Sequence, residues 1–119
     1  MRAIICGSRY WNDWRSIFKA LDEIHARTQI SCAITGGAPG VDFHAWQWAL
    51  DRKVDRVVYP ADWKQHGRAA GPIRNQQMLD EGCPDVVIAF PGGTGTANMI
   101  GLASRRGVNV IQLDVRDST

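Results

Sequence analysis

Nowhere does this 119-residue chain approach the roughly 20 consecutive apolar residues of a membrane-spanning helix. Its first residues read as a strand, Arg2 to Cys6, and lack a secretory signal's long apolar core and cleavage site, so a cytoplasmic setting is expected. Cysteine is sparse and odd in number: Cys6, Cys32 and Cys83, none in CxxC spacing, indicate neither a disulfide framework nor a zinc site but buried or half-buried free thiols. An excess of one charge is also missing. The net charge of +2 is too small to argue for a polyanion partner, and a phosphate backbone demands clustered Lys and Arg. No GxGxxG follows the first strand, which weighs against a classical dinucleotide dehydrogenase. No metal and no cofactor is expected.

What remains is an ordinary globular composition, 45% hydrophobic and 22% charged, in a length that suits a single domain over residues 1–119. That length leaves no room for a separate substrate domain, so any ligand must be held by loops or by a second copy. Five tryptophans are many for so short a chain. Trp46 and Trp48 flank Gln47 and cannot share one helix face, so at least one tryptophan is expected to meet a partner subunit or a ligand.

Apolar runs alternate with helical patterns. After Arg2 to Cys6 comes Gly7-Ser8-Arg9, then a helix from about Asp13 to Arg27 with Ile17, Leu21 and Ile24 on one face. Ser31 to Thr35 reads as a second strand, ended by Gly36-Gly37, with Pro39 near the start of a helix through about Arg52. Val54 to Tyr59 makes a third strand. Ala61 to Gly71 reads as a long polar loop. A helix from about Ile73 to Glu81 leads to the apolar run Val86 to Phe90, the turn Pro91-Gly92-Gly93-Thr94-Gly95-Thr96, a helix from about Ala97 to Arg106 capped by Gly107, and a last strand, Val108 to Leu113. Such alternation predicts a Rossmann-like, three-layer α/β domain: a mostly parallel five-stranded sheet with helices on both faces. With strand order 3-2-1-4-5, order reverses between strands one and four, and all three glycine turns fall on one edge.

Those turns carry the candidate binding residues. Thr94, Gly95 and Thr96 offer backbone N–H groups and hydroxyls to a phosphate, and Gly92 and Gly93, after Pro91, let the chain pass close to it. Gly7, Ser8 and Arg9 stand at the reversal point, where the arginine suits a phosphate or a carboxylate. Gly36, Gly37 and Gly40 form a flexible loop followed by Asp42, which is placed to accept from ribose hydroxyls or a base edge, or else caps its helix or pairs with Arg74 or Arg9. His44 either reaches the same edge or, as fits it better, stands on the helix surface. Arg74 suits a bidentate phosphate clamp with Asn75 beside it, and Asn98 suits a ligand hydroxyl. On the long loop, Asp62, Trp63, His66 and Arg68 either form a lid over a base or, through Trp63, pin the loop to the core. Any acid or base chemistry falls to Asp42, Asp62 or His66, with Arg74 in support.

Four ordered segments, CGSRYW, TGGAPGVDFHAWQWA, PADWKQHGRAAGPIRNQQM and VVIAFPGGTGTANM, resemble the YspA-like, cpYpsA-related branch of the SLOG superfamily, relatives of the Lonely Guy and lysine-decarboxylase-like proteins. The resemblance implies a domain that binds nucleotides or nucleotide-derived ligands, and it implies a homodimer or higher homo-oligomer. Lonely Guy enzymes release a base from a nucleoside monophosphate and carry PGGxGTxxE with an upstream RxxxM. Arg74 and Met78 match the upstream pattern, whereas Met99 stands where the glutamate belongs. A thioether neither accepts a proton nor stabilises a cationic ribosyl centre.

The leading expectation is therefore a binding protein or sensor for a phosphorylated nucleotide derivative, such as an ADP-ribose-like molecule or a nucleoside monophosphate. The alternative is a nucleoside 5'-monophosphate N-glycosidase in which Asp42 or Asp62 replaces the glutamate. Single-stranded DNA binding, suggested by a distant relation to the DNA-processing Smf/DprA proteins, is disfavoured by the balanced charge.

Overall fold

In the computed structural model, which describes residues 1–118, the apolar runs become five parallel strands in the order β3-β2-β1-β4-β5. They are β1 (Arg2–Cys6), β2 (Cys32–Thr35), β3 (Asp55–Val58), β4 (Val86–Ala89) and β5 (Asn109–Gln112). Between them run α1 (Trp14–Arg27), α2 (Val41–Asp51), α3 (Trp63–His66), α4 (Ala70–Gly82) and α5 (Thr94–Arg105), with a single 3-10 turn at Gly67–Ala69.

Strand alternation sorts the core into two layers. Ala3, Ile5, Ala33, Val86 and Ile88 face α1 and α2, where Ile17, Leu21, Val41, Ala45 and Trp48 pack. Ile4, Ile34 and Val87 face the opposite way, against Met78 and Leu79 of α4 and Met99 and Ala103 of α5. Both faces of the sheet are thus covered, and β2 and β4 are buried at every residue while the edge strands β3 and β5 are not.

Trp48 is fully buried and donates its indole N–H to Asp22 at 2.8 Å; Trp46, two residues on the chain away, lies half-buried beneath the Arg56 guanidinium, 4.0 Å from its ring centre. The two tryptophans do divide between faces. Trp14, Phe43 and Leu50 stay exposed on the outer side of α1 and α2.

Three sequence expectations are corrected. The stretch 61–71 is not an open loop: Asp62 caps α3 by accepting from the Gln65 N–H at 3.1 Å, and α4 begins at Ala70 rather than Ile73. Pro72 is compatible with that start because a first-turn residue has no intrahelical use for an N–H. Next, α5 begins at Thr94 rather than Ala97. Glycine and threonine are weak helix formers, but here the Asn75 amide donates to the Gly95 carbonyl at 3.1 Å and Thr96 is buried, so tertiary contacts outweigh propensity. Finally, Cys83 is exposed rather than buried, at the left-handed cap position (φ 47°) where α4 ends and before β4 enters the sheet.

The polar C-terminal stretch has a structural use. Asp117 accepts from the Asn12 and Asp13 N–H groups at 2.9 and 3.0 Å and ties the end of the chain to the loop after β1.

Candidate functional site

All three glycine turns, together with α3, surround one cleft of about 760 Å³ at the carboxyl edge of the sheet, beside the reversal between β1 and β4. A volume of that size accommodates a nucleotide-sized ligand. Of the sequence candidates, Gly7, Ser8, Arg9, Gly36, Gly37, Asp42, Arg74, Asn75, Gly93, Thr94, Gly95, Thr96 and Asn98 line it, as do Trp63 and Arg68 from the α3 side. Pro91, Gly92, Asp62, His44 and His66 are outside its lining.

The reasons for these exceptions are local. The Pro91 carbonyl accepts from the Ser8 N–H at 2.9 Å, and a Cβ on Gly92 would stand 2.9 Å from the backbone of Gly7 and Ser8. Gly92 therefore serves contact between two turns rather than approach to a phosphate. Asp62 is engaged as the α3 cap, and the His44 ring nitrogen Nε2 lies 2.9 Å from the Trp11 carbonyl.

Helix ends give the cleft its electrostatic character. The starts of α1 and α3 are capped by the side chains of Asp13 and Asp62. Those of α2, α4 and α5 have Gly40, Ala69 and Gly93 at the cap, with no side-chain hydrogen bond, and the first turn of each contributes residues to the cleft. The amides of Thr94, Gly95 and Thr96 have no intrahelical acceptor, so α5 presents donors and the positive end of its dipole to the opening. Gly93 and Gly95 border free space: a Cβ on either would meet nothing within 4 Å. Three arginines, Arg9, Arg68 and Arg74, oppose the single carboxylate Asp42 in the lining.

Arg74 is held from two sides. Its Nη1 donates to the Gly36 carbonyl at 2.5 Å, and its Nε donates to Asn75 Oδ1 at 3.1 Å. Gly36 is required for this: an added Cβ would fall 2.0 Å from Nη1. The Asn75 amide in turn donates to the Gly95 carbonyl and to Asn98 Oδ1, at 3.1 and 3.0 Å. The buried Asn75 is thus a strut between α4 and α5, with its oxygen and amide both engaged within the protein. Burial lowers the Arg74 pKa and neighbouring Arg9 adds to this, while Asp42 and Cys6 oppose it. Guanidinium remains cationic through such shifts.

Asp42, in the first turn of α2, accepts from the Gly36 and Ala38 N–H groups, each at 3.2 Å, and so braces the second turn. The loop reaches this geometry through Gly40, at φ 76°, where a Cβ would approach the Ser8 carbonyl oxygen to 2.2 Å. Burial pushes the Asp42 carboxyl up to about 6, against the opposing pull of those two N–H groups and of Arg74. The folded protein therefore holds a proton here between about pH 4 and 6 that the unfolded chain has released. Stability accordingly falls as pH rises through that window, by on the order of 3 kcal/mol for this one group, and levels off above it. Asp42→Asn is expected to flatten that segment of the curve, measured as urea midpoints at pH 4, 5, 6 and 7; an unchanged slope would assign the titration elsewhere. Cys6 also lines the cleft, and burial pushes its thiol up to about 12, which keeps it protonated at neutral pH.

Met99 is wholly buried in the apolar layer with Met78, Val87 and Ala103 and is not part of the cleft lining. Tyr10 also lines the opening and escaped the sequence reading. Its position directly after Arg9 in the first turn was the available signal.

Residues 1–66 match the family model described as YspA, cpYpsA-related SLOG family. The chain is 37% identical over 118 residues to the Gene 61 protein of Mycobacterium phage D29, covering 92% of this chain and 94% of that protein. A solved structure of DNA processing protein A (DprA) from Streptococcus pneumoniae superposes with a TM-score of 0.49 at 17% identity, over 92% of this chain. The chain spans 58% of the length of that DprA chain.

Proposed function

Because the chain belongs to the YspA, cpYpsA-related SLOG family, with its general nucleotide-related role, we infer that the cleft binds a phosphorylated nucleotide derivative, such as a nucleoside monophosphate or an ADP-ribose-like molecule. The observation that carries this reading is the uncapped start of α5, whose free amides border the same opening as Arg9, Arg68 and Arg74. An anion there receives backbone donors, a helix dipole and guanidinium groups together. Arg74 serves as the clamp: with Nη1 and Nε anchored, its orientation is set before a ligand arrives, which reduces the ordering cost of binding.

The test is calorimetric titration of AMP and of ADP-ribose into the purified protein and into Arg74→Ala. The variant is expected to bind about 1.5 to 3 kcal/mol more weakly, or roughly 10- to 150-fold. Wild-type protein that binds neither compound would overturn the reading.

One observation favours the N-glycosidase alternative: Asp42 is a cleft carboxyl whose pKa, about 6, suits proton transfer near neutral pH. Chromatography of the same AMP mixtures separates the two. Free adenine that disappears in Asp42→Asn would establish catalysis, whereas binding without base release supports a sensor or sequestering role.

A further inference from the structure

We propose that Tyr10 and Trp63 form an aromatic clamp at the mouth of the cleft that stacks on a planar heterocycle, the base of the bound nucleotide. The proposal deepens the nucleotide-binding reading above and rests on it. Both residues line the cleft, one following β1 and the other following β3, and both are left largely in water: Tyr10 is 79% exposed and Trp63 53%. A large ring at the rim of a polar cleft gains little from folding, because most of its apolar surface stays hydrated.

The backbone around each ring holds it there. On the Tyr10 side, the Ser8 N–H donates to Pro91, the Val41 N–H donates to Ser8, and the Tyr10 N–H donates to Ser8 Oγ at 3.1 Å. Trp11, the next residue, is buried edge-on against Phe90, and Asp117 takes the N–H groups of Asn12 and Asp13. Tyr10 is consequently the one aromatic of a pinned loop that projects outward. Across the cleft, Asp62 caps the short helix that carries Trp63, and the indole lies beside Gly71 at the start of α4, 3.6 Å from where a Cβ there would be. Neither ring stacks on another aromatic among the described residues. Two unstacked rings on braced backbone, lining the same cleft as uncapped helix starts, give an arrangement in which phosphate meets the amides and a flat apolar group meets the rings.

The test compares AMP with ribose 5-phosphate, which shares the phosphate and sugar but has no base. Wild type is expected to prefer AMP by roughly 10-fold or more, as base stacking on an aromatic side chain ordinarily provides. Tyr10→Ala and Trp63→Ala should each reduce that preference and together abolish it, with ribose 5-phosphate affinity held within about 2-fold; Tyr10→Phe and Trp63→Phe, which keep a planar ring, should retain it. Equal wild-type affinity for the two compounds, or a preference that survives the double alanine variant, overturns the clamp while leaving the phosphate site standing. Failure of wild type to bind either compound overturns both.

Discussion

Gly95→Val is expected to lower AMP affinity on the order of 100-fold or more while the protein stays folded, and Gly93→Val to do the same, since each loses two or so charge-assisted hydrogen bonds to phosphate. The expectation follows from what surrounds these glycines. A side chain at either position projects into free space and touches no other part of the protein, yet that space is where an anion would meet the amides of Thr94 and Thr96. Position 95 lies inside the first turn of α5, where valine is a slightly better helix former than glycine, so no loss of stability is expected there. At the cap position, valine replaces a tolerated glycine, and a loss of about 1 kcal/mol or less is expected. Thermal melts run beside the titrations separate the two effects. Unaltered affinity in both variants would mean that the anion is held elsewhere.

Met99→Glu, which restores the glutamate of the Lonely Guy signature, is expected to destabilise the protein by about 4 kcal/mol or more at neutral pH, and not to create an enzyme. Met99 has no exposed surface and packs against β4. A carboxyl there must either be ionised in an apolar layer or take up a proton about 3 pH units above its ordinary range, and it also loses the thioether's packing. Against a typical total stability of 5–15 kcal/mol that is a large fraction. Denaturant unfolding gives the magnitude, and lowering the pH to 5 should restore part of it because the neutral form then costs less. A variant that melts like wild type and releases adenine from AMP would show that a carboxylate at position 99 reaches the cleft.

Much of this was legible in the residues. Val86–Ala89 is continuous and apolar because β4 is covered on both faces, and the same holds for Cys32–Thr35. Three glycine turns on one edge followed from parallel strands alone, whichever strands were neighbours. The SLOG family was also readable, because four ordered motifs constrain a fold far more tightly than one glycine pattern. Helix starts were harder. Thr94-Gly95-Thr96 is poor helix sequence, and the hydrogen bond from Asn75 to Gly95 together with the burial of Thr96 supports it as the first turn of α5. Residues 62–69 carry no amphipathic period, so their helical turns depend on the Asp62 cap.

The division has a physical basis. Sequence by itself determined the alternation of strands and helices, the two-sided burial of the central strands and the edge on which a ligand could sit, since each follows from periodicity, glycine placement and chain connectivity. Tertiary structure alone decided what each polar group does. Asn75 and Asp62 are consumed by the fold, Gly36 and Gly92 are small for the protein's own sake, and Gly93 and Gly95 face open space. A side chain's availability to a ligand depends on which neighbours reach it first, and those neighbours come from distant parts of the chain.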